Sequence, residues 1–201
     1  KGAGLDFALP RTERRTGEGH KDFVVSVDPD LSPEQAAARR DFTVNAVMRD
    51  AWTGEIVDPY HGMEDLRRGV LRAVPGGQFE EDPLRVLRGA QFAARFHLTP
   101  DEETMQKMRR MPVTNLSAAR VWAETKKALE MADTPSVFFR ILEKAGALDH
   151  WFKELAALRK APQNPVYHPE GDAFEHTMMV LDEAAQIRNQ MKDPLSFMLA
   201  A

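Results

Sequence analysis

The 201-residue chain contains no cysteine. That removes disulfides and thiolate metal ligands, and makes a reducing cytoplasm the simplest setting. No apolar run approaches the roughly 18 residues that a membrane span requires, and no signal-peptide pattern opens the chain, so no membrane partner is expected. Internal repeats and low-complexity segments are absent too. Positive charge is also short: the net charge is −4, which taken alone argues against a nucleic-acid partner. The distribution of charge matters more than its sum. Residues 67–127 carry 12 Lys and Arg against 7 Asp and Glu, whereas residues 161–201 carry 2 against 6. A basic middle within an acidic whole suits a phosphate-bearing partner held on one face. It equally suits an ordinary domain with uneven charge.

What is present is the composition of a soluble globular protein, 43% hydrophobic and 29% charged, with length for one ordinary domain or two small ones. The chain begins "KGAGLDFALP" without methionine and stops at "DPLSFMLAA" without a helix stop signal, so it reads as a piece of a longer protein. "GLDFALP" alternates as a half-buried strand does, and the polar residues 11–31, with two glycines and a "DPD" turn, read as a mobile loop. Ser32 and Pro33 then open a helix expected to run through "PEQAAARRDFTVNAV". "TGEIVDP" reads as a turn and short strand, "GMEDLRRG" as a short helix and "VLRAV" as another strand. After "PGG" at 75–77 only helical periods follow: roughly 79–96, 100–110, 117–131, 135–146, 150–160, 171–191 and 193–201. The fold class is α+β, an incomplete sheet followed by a helical array.

Two constellations carry chemistry. In "QFEEDPLRVLRGAQFAARF", residues 78–96, a helical wheel sets Asp82 and Arg85 as i,i+3 neighbours, with Arg88 one step round. Gly89 falls between them, leaving a gap where a flat ring could approach. Val86, Ala90, Ala93 and Ala94 form the apolar stripe. An ionised Asp only accepts hydrogen bonds and an Arg only donates. Cytosine and adenine each offer an amino donor beside a ring acceptor and match that pair; uracil and guanine present the reverse. The same residues also suit a solvated helix start, with acids at the positive end of the dipole and a weak surface ion pair. In "RRDFTVNA", Arg40 has the planar fork that holds a phosphate, Asp41 can accept from a ribose hydroxyl, and Asn45 lies one turn on. A helix with a polar edge explains that stretch equally well.

"RRDFTVNAV", "DPYHGMEDLRRGVLRAV" and "FEEDPLRVLRGAQFAARF" occur in this order and spacing. They resemble successive motifs of the bacterial class II tRNA nucleotidyltransferases, the CCA-adding enzymes, and of the bacterial poly(A) polymerases. The resemblance implies that residues 1–74 are part of a nucleotidyltransferase head, 75–134 a helical neck, 135–165 a helical body and 166–201 the start of an HD-type domain. It implies an enzyme that adds C and A to the tRNA 3′ end from CTP and ATP, with Mg²⁺, on a protein template. Arg40, Asp41 and Asn45 would serve ribose and triphosphate; Asp82, Arg85 and Arg88 would read the base. Relatives often carry a basic residue where Gln91 stands, whose amide can still donate to the nucleotide, and a glutamate where Ala119 stands in "LSAARVWAETKKAL". The family's main metal-binding carboxylates precede Lys1, so the chain alone is expected to be inactive. Asp6 lies where relatives carry an acid on a neighbouring strand, an accessory catalytic and metal carboxylate. "HPEGDAFEHTMMVLDEA", 168–184, resembles the opening of an HD-type phosphohydrolase, with His176 as its first metal ligand. A poly(A) polymerase, an enzyme adding part of CCA, and a non-catalytic RNA-binding helical module stay open as alternatives.

Overall fold

The computed structural model describes residues 11–15, 23–28, 30–76, 78–164 and 166–201. The expected strand "GLDFALP" and Asp6 lie outside these. Within the segment read as a loop, β1 (Arg11–Arg15) pairs antiparallel with β2 (Phe23–Val27), from Arg11↔Val27 to Arg15↔Phe23. The polar residues around "FVVSV" hid a run of aromatic and β-branched residues that favours a strand.

Helix α1 (Pro33–Ala38) starts at a capping box: Ser32 Oγ accepts from Gln35 N–H (3.2 Å), and Ser32 N–H donates to Gln35 Oε1 (2.9 Å). It does not continue to Val47 as expected. Phe42 is extended and bridges Ala73, with Thr43 N–H on Arg72 O (2.9 Å) and Val74 N–H on Asp41 O (3.1 Å). Non-local pairing overrides the local helix preference there. A 3₁₀ turn, Thr43–Asn45, follows, then β3 (Met48–Arg49) antiparallel to β4 (Ile56–Val57). Asp58 caps α2 (Gly62–Arg68) through Gly62 N–H (2.7 Å) and Met63 N–H (2.9 Å), and Gly69 closes it in the left-handed conformation at φ 67°. Next, β5 (Val70–Leu71) pairs parallel with β6 (Thr99–Pro100). A short strand thus interrupts the stretch read as wholly helical, because Thr99 N–H finds Gly69 O (2.8 Å) and Asp101 N–H finds Leu71 O (3.1 Å).

The other helices fall where the periodicity puts them, except that the one expected over 150–160 starts at Leu148 and is broken at Phe152, whose backbone leaves the helical region. They are α3 (Leu84–Phe96), α4 (Glu102–Arg110), α5 (Ala118–Met131), α6 (Ser136–Lys144), α7 (Leu148–Trp151), α8 (Lys153–Ala157), α9 (Ala173–Ile187) and α10 (Pro194–Ala200). Side-chain N-caps start four of them, at Asp101, Ser117, Asp172 and Asp193. Helix α3 is central and packs on α5 and α6. Its buried face holds Val86, Ala90, Ala93 and Ala94, the stripe read from the sequence. One apolar cluster extends from Phe42, through α3, to Met198 in α10. Consequently the turn bearing Asp41 and the helix bearing Arg85 and Arg88 are held by the same core.

Candidate functional site

The residues Arg39–Asp41 follow α1 and face the start of α3. Arg40 is exposed. Asp41 is 5% exposed. Its carboxylate accepts from Asn45 Nδ2 (2.6 Å), Phe42 N–H (3.1 Å) and, across 47 residues, Arg88 Nε. Arg85 Nη2 reaches back to Arg39 O (2.9 Å). The two constellations of the sequence are therefore one: α3 delivers Arg85 and Arg88 onto the backbone and carboxylate of the "RRD" segment.

Arg88 also lies over the Phe92 ring, 5.2 Å from its centroid. Burial works against its charge, but the Asp41 bond, with the Glu124 and Asp82 carboxylates nearby, outweighs that and holds the guanidinium above its ordinary value. Gln91 is 1% exposed. Its amide lies between Glu124 of α5 and Arg95, and bonds both once its nitrogen is assigned to the Glu124 Oε2 side (3.3 Å) and its oxygen to the Arg95 Nη1 side (2.8 Å), so both ends are engaged within the protein.

Two expectations about this helix change. Helix α3 begins at Leu84 rather than near residue 79, so Asp82 stands just ahead of the helix, its backbone carbonyl accepting from Arg85 N–H (3.0 Å). Its Oδ1 accepts from Leu84 N–H (3.0 Å), and its Oδ2 from Arg120 Nη2 of α5 (2.7 Å). Gly89, expected to leave a slot for a ring, is buried, and a Cβ there would meet Phe42 Cζ at 3.0 Å and Met108 Cε at 3.3 Å. Phe42 and Met108 fill that space, and Phe79 and Phe92 pack edge-on against the Phe42 ring. Sequence reasoning missed Arg120 because its partner lies 38 residues away; the only signal was a lone Arg in the first turn of a helix whose other charges, two Lys and two Glu, balance.

A second cluster stands at the entrance to α9. Glu170 Oε1 lies 2.6 Å from His176 Nδ1 and 3.1 Å from His168 Nδ1. Glu170's own backbone N–H, then the His176 and His168 rings, hold its carboxyl down at about 2. The three side chains offer ligand atoms within 4.8 Å of one another, a grouping of imidazole and carboxylate donors suited to a divalent transition metal. Beside them opens an apolar groove of about 640 Å³, lined by Met179, Val180, Ile187 and Phe197. Among the described residues no helix is long and apolar enough to cross a membrane.

Residues 3–72 match the family model of the poly(A) polymerase head domain, and residues 97–158 match that of a probable RNA- and SrmB-binding site of polymerase A. The chain is 46% identical over 186 residues to the multifunctional CCA protein of Pasteurella multocida (strain Pm70), covering 89% of this chain and 44% of that protein. It is 47% identical over 191 residues to the multifunctional CCA protein of Stenotrophomonas maltophilia (strain K279a), covering 92% and 47%. It thus spans less than half the length of these curated relatives. The crystal structure of the Bacillus stearothermophilus CCA-adding enzyme in complex with CTP superposes with a TM-score of 0.55 at 30% identity, over 61% of this chain and 31% of that one. An apo form of a CCA-adding enzyme superposes with a TM-score of 0.64 at 22% identity, over 94% and 42%, and so shares the fold.

Proposed function

Since the chain belongs to the family of CCA-adding enzymes and bacterial poly(A) polymerases, we propose that its head–neck junction selects CTP and ATP for addition to a tRNA 3′ end. One observation carries this reading: Arg88 and Arg85 of α3 bond the Asp41 carboxylate and the Arg39 carbonyl, so base-reading and phosphate-holding groups share a single rigid surface. Exposed Arg40 would hold the triphosphate, and Asp41 with Asn45 the ribose edge. Arg88, bound to that carboxylate, would set the distance between ribose and base. Asp82 would accept from the amino group of C or A, and Arg85 would donate to the neighbouring ring nitrogen. Uracil or guanine would set carbonyl against carboxylate and N–H against guanidinium.

Mg²⁺ belongs to the same reading; when bound it would acidify the attacking hydroxyl and neutralise the phosphates. Asp6, the carboxylate assigned to it, lies outside the described residues. Among the described ones, Asp41, Asp65 and Asp82 already have guanidinium partners.

The test is CTP against UTP in the full-length protein. Sites that hydrogen-bond their substrate reject a mismatched analogue by roughly 10⁴–10⁵. Replacing Arg85 by Ala should lose most of that ratio while leaving incorporation measurable. Equal affinity for CTP and UTP in the unsubstituted protein would sink the proposal. Product length on a tRNA lacking its terminus separates CCA addition from poly(A) or partial synthesis.

A second reading has its own observation, the His168–Glu170–His176 grouping. It would bind one transition-metal ion, with His176 in the role that its resemblance to an HD-type domain implies. Titrating Ni²⁺ or Zn²⁺ into the protein should give about one saturable site, lost in His176→Ala. Unchanged uptake in that variant would overturn the assignment.

A further inference from the structure

Asp82 has the position of a base reader but not, by itself, the fixity. It stands in the bend between the 3₁₀ turn Gln78–Glu81 and α3, outside any regular element. A carboxylate on such a bend can turn about its own side-chain bonds, and a turned carboxylate presents its lone pairs in the wrong direction. Two contacts prevent this: Leu84 N–H on Oδ1 (3.0 Å) and Arg120 Nη2 on Oδ2 (2.7 Å). The first is local and moves with the bend. The second comes from another helix.

We infer that Arg120 is the positioning residue of the base-reading site, fixing Asp82 so that it can accept from a base amino group. The inference rests on the nucleotide-selecting role proposed above for Asp82. Arg120 is suited to it. It lies in the first turn of α5, where Ser117 Oγ accepts from its backbone N–H (3.4 Å), and α5 packs along α3. Each carboxylate oxygen has two lone pairs, so one bond from Arg120 leaves Oδ2 able to accept a second. The two side chains are 34% and 31% exposed, which leaves the pair within reach of a ligand. Partly exposed ion pairs of this kind contribute little to stability. Arg120 therefore matters for orientation more than for holding the fold.

The experiment compares kcat/KM for CTP and UTP in the full-length protein and its variants. Arg120→Met should reduce the CTP-over-UTP ratio on the order of ten- to a hundredfold, the effect of losing one hydrogen bond to a charged group, with the melting temperature nearly unchanged. Arg120→Lys should recover part of the ratio, since an ammonium still donates but lacks the planar fork. Adding Arg120→Met to Asp82→Ala should change the ratio no further. A parallel loss for both nucleotides in Arg120→Met would make Arg120 merely structural and overturn the inference. A gain in CTP affinity would also overturn it, by making Arg120 a competitor for the carboxylate. If instead Asp82→Ala keeps full discrimination, it is the underlying reading of Asp82 that fails.

Discussion

Replacing Gly62 with alanine is expected to cost about 3 kcal/mol or more, a large share of the roughly 5–15 kcal/mol that holds an ordinary domain. An added Cβ would stand 2.1 Å from Thr43 O, 2.6 Å from Thr43 C and 2.8 Å from Val47 Cγ2. Two of those atoms are backbone and cannot swing aside. Relief requires the start of α2 to withdraw from the turn Thr43–Asn45. Withdrawal strains the Asp58 cap on Gly62 N–H (2.7 Å) and the buried bond from Thr43 Oγ1 to Asp65 (2.8 Å), which Arg72 also joins at 3.1 Å. The same turn carries Asn45 and lies just beyond Asp41, so nucleotide affinity should fall together with stability. Urea unfolding of the Gly62→Ala protein measures the effect. A midpoint unchanged from the parent would mean that α2 and the turn are not packed this closely.

The sequence disclosed those parts of the fold whose cause is local. Helix α3 was legible because Val86, Ala90, Ala93 and Ala94 recur at helical spacing, and helix starts were legible at Ser32, where the capping residues are adjacent. What it concealed depends on distant partners. "RRDFTVNAV" reads as helix until Thr43 N–H meets Arg72 O and Val74 N–H meets Asp41 O. Gly89 reads as a vacancy until Phe42, 47 residues earlier, occupies the space. Asp82 invites pairing with Arg85 by proximity in sequence, whereas its ion-pair partner, Arg120, comes from α5. The candidate site followed the same division. Its residue types and two clusters were visible; that Arg88 and Asp41 bind each other was not, because nothing in either segment points to the other.

That pair should give the other large effect. Asp41 is 5% exposed and takes Arg88 Nε on the oxygen that Asn45 does not use. Replacing Arg88 by methionine keeps an unbranched stem against Phe92 but leaves the buried carboxylate without its counter-charge. Removing one member of a buried pair costs about 3–5 kcal/mol. Asn45 Nδ2 and Phe42 N–H still serve Asp41, which favours the lower end, about 3 kcal/mol. The charge itself can then be tested by removing it. Asp41→Asn together with Arg88→Met leaves no unpaired ion, so the double variant should be more stable than Arg88→Met alone, and the two effects should be strongly non-additive. The comparison also separates two sources of the rigidity between the Arg39–Asp41 segment and α3. If the double variant is as unstable as the sum of the singles, the guanidinium acts by packing on Phe92 rather than by neutralising Asp41, and the junction is held by its aromatic cluster. If the double variant recovers, the ion pair is what registers the Arg39–Asp41 segment against α3, as the proposed nucleotide site requires. Base choice should then loosen in Arg88→Met even at temperatures where the protein remains folded.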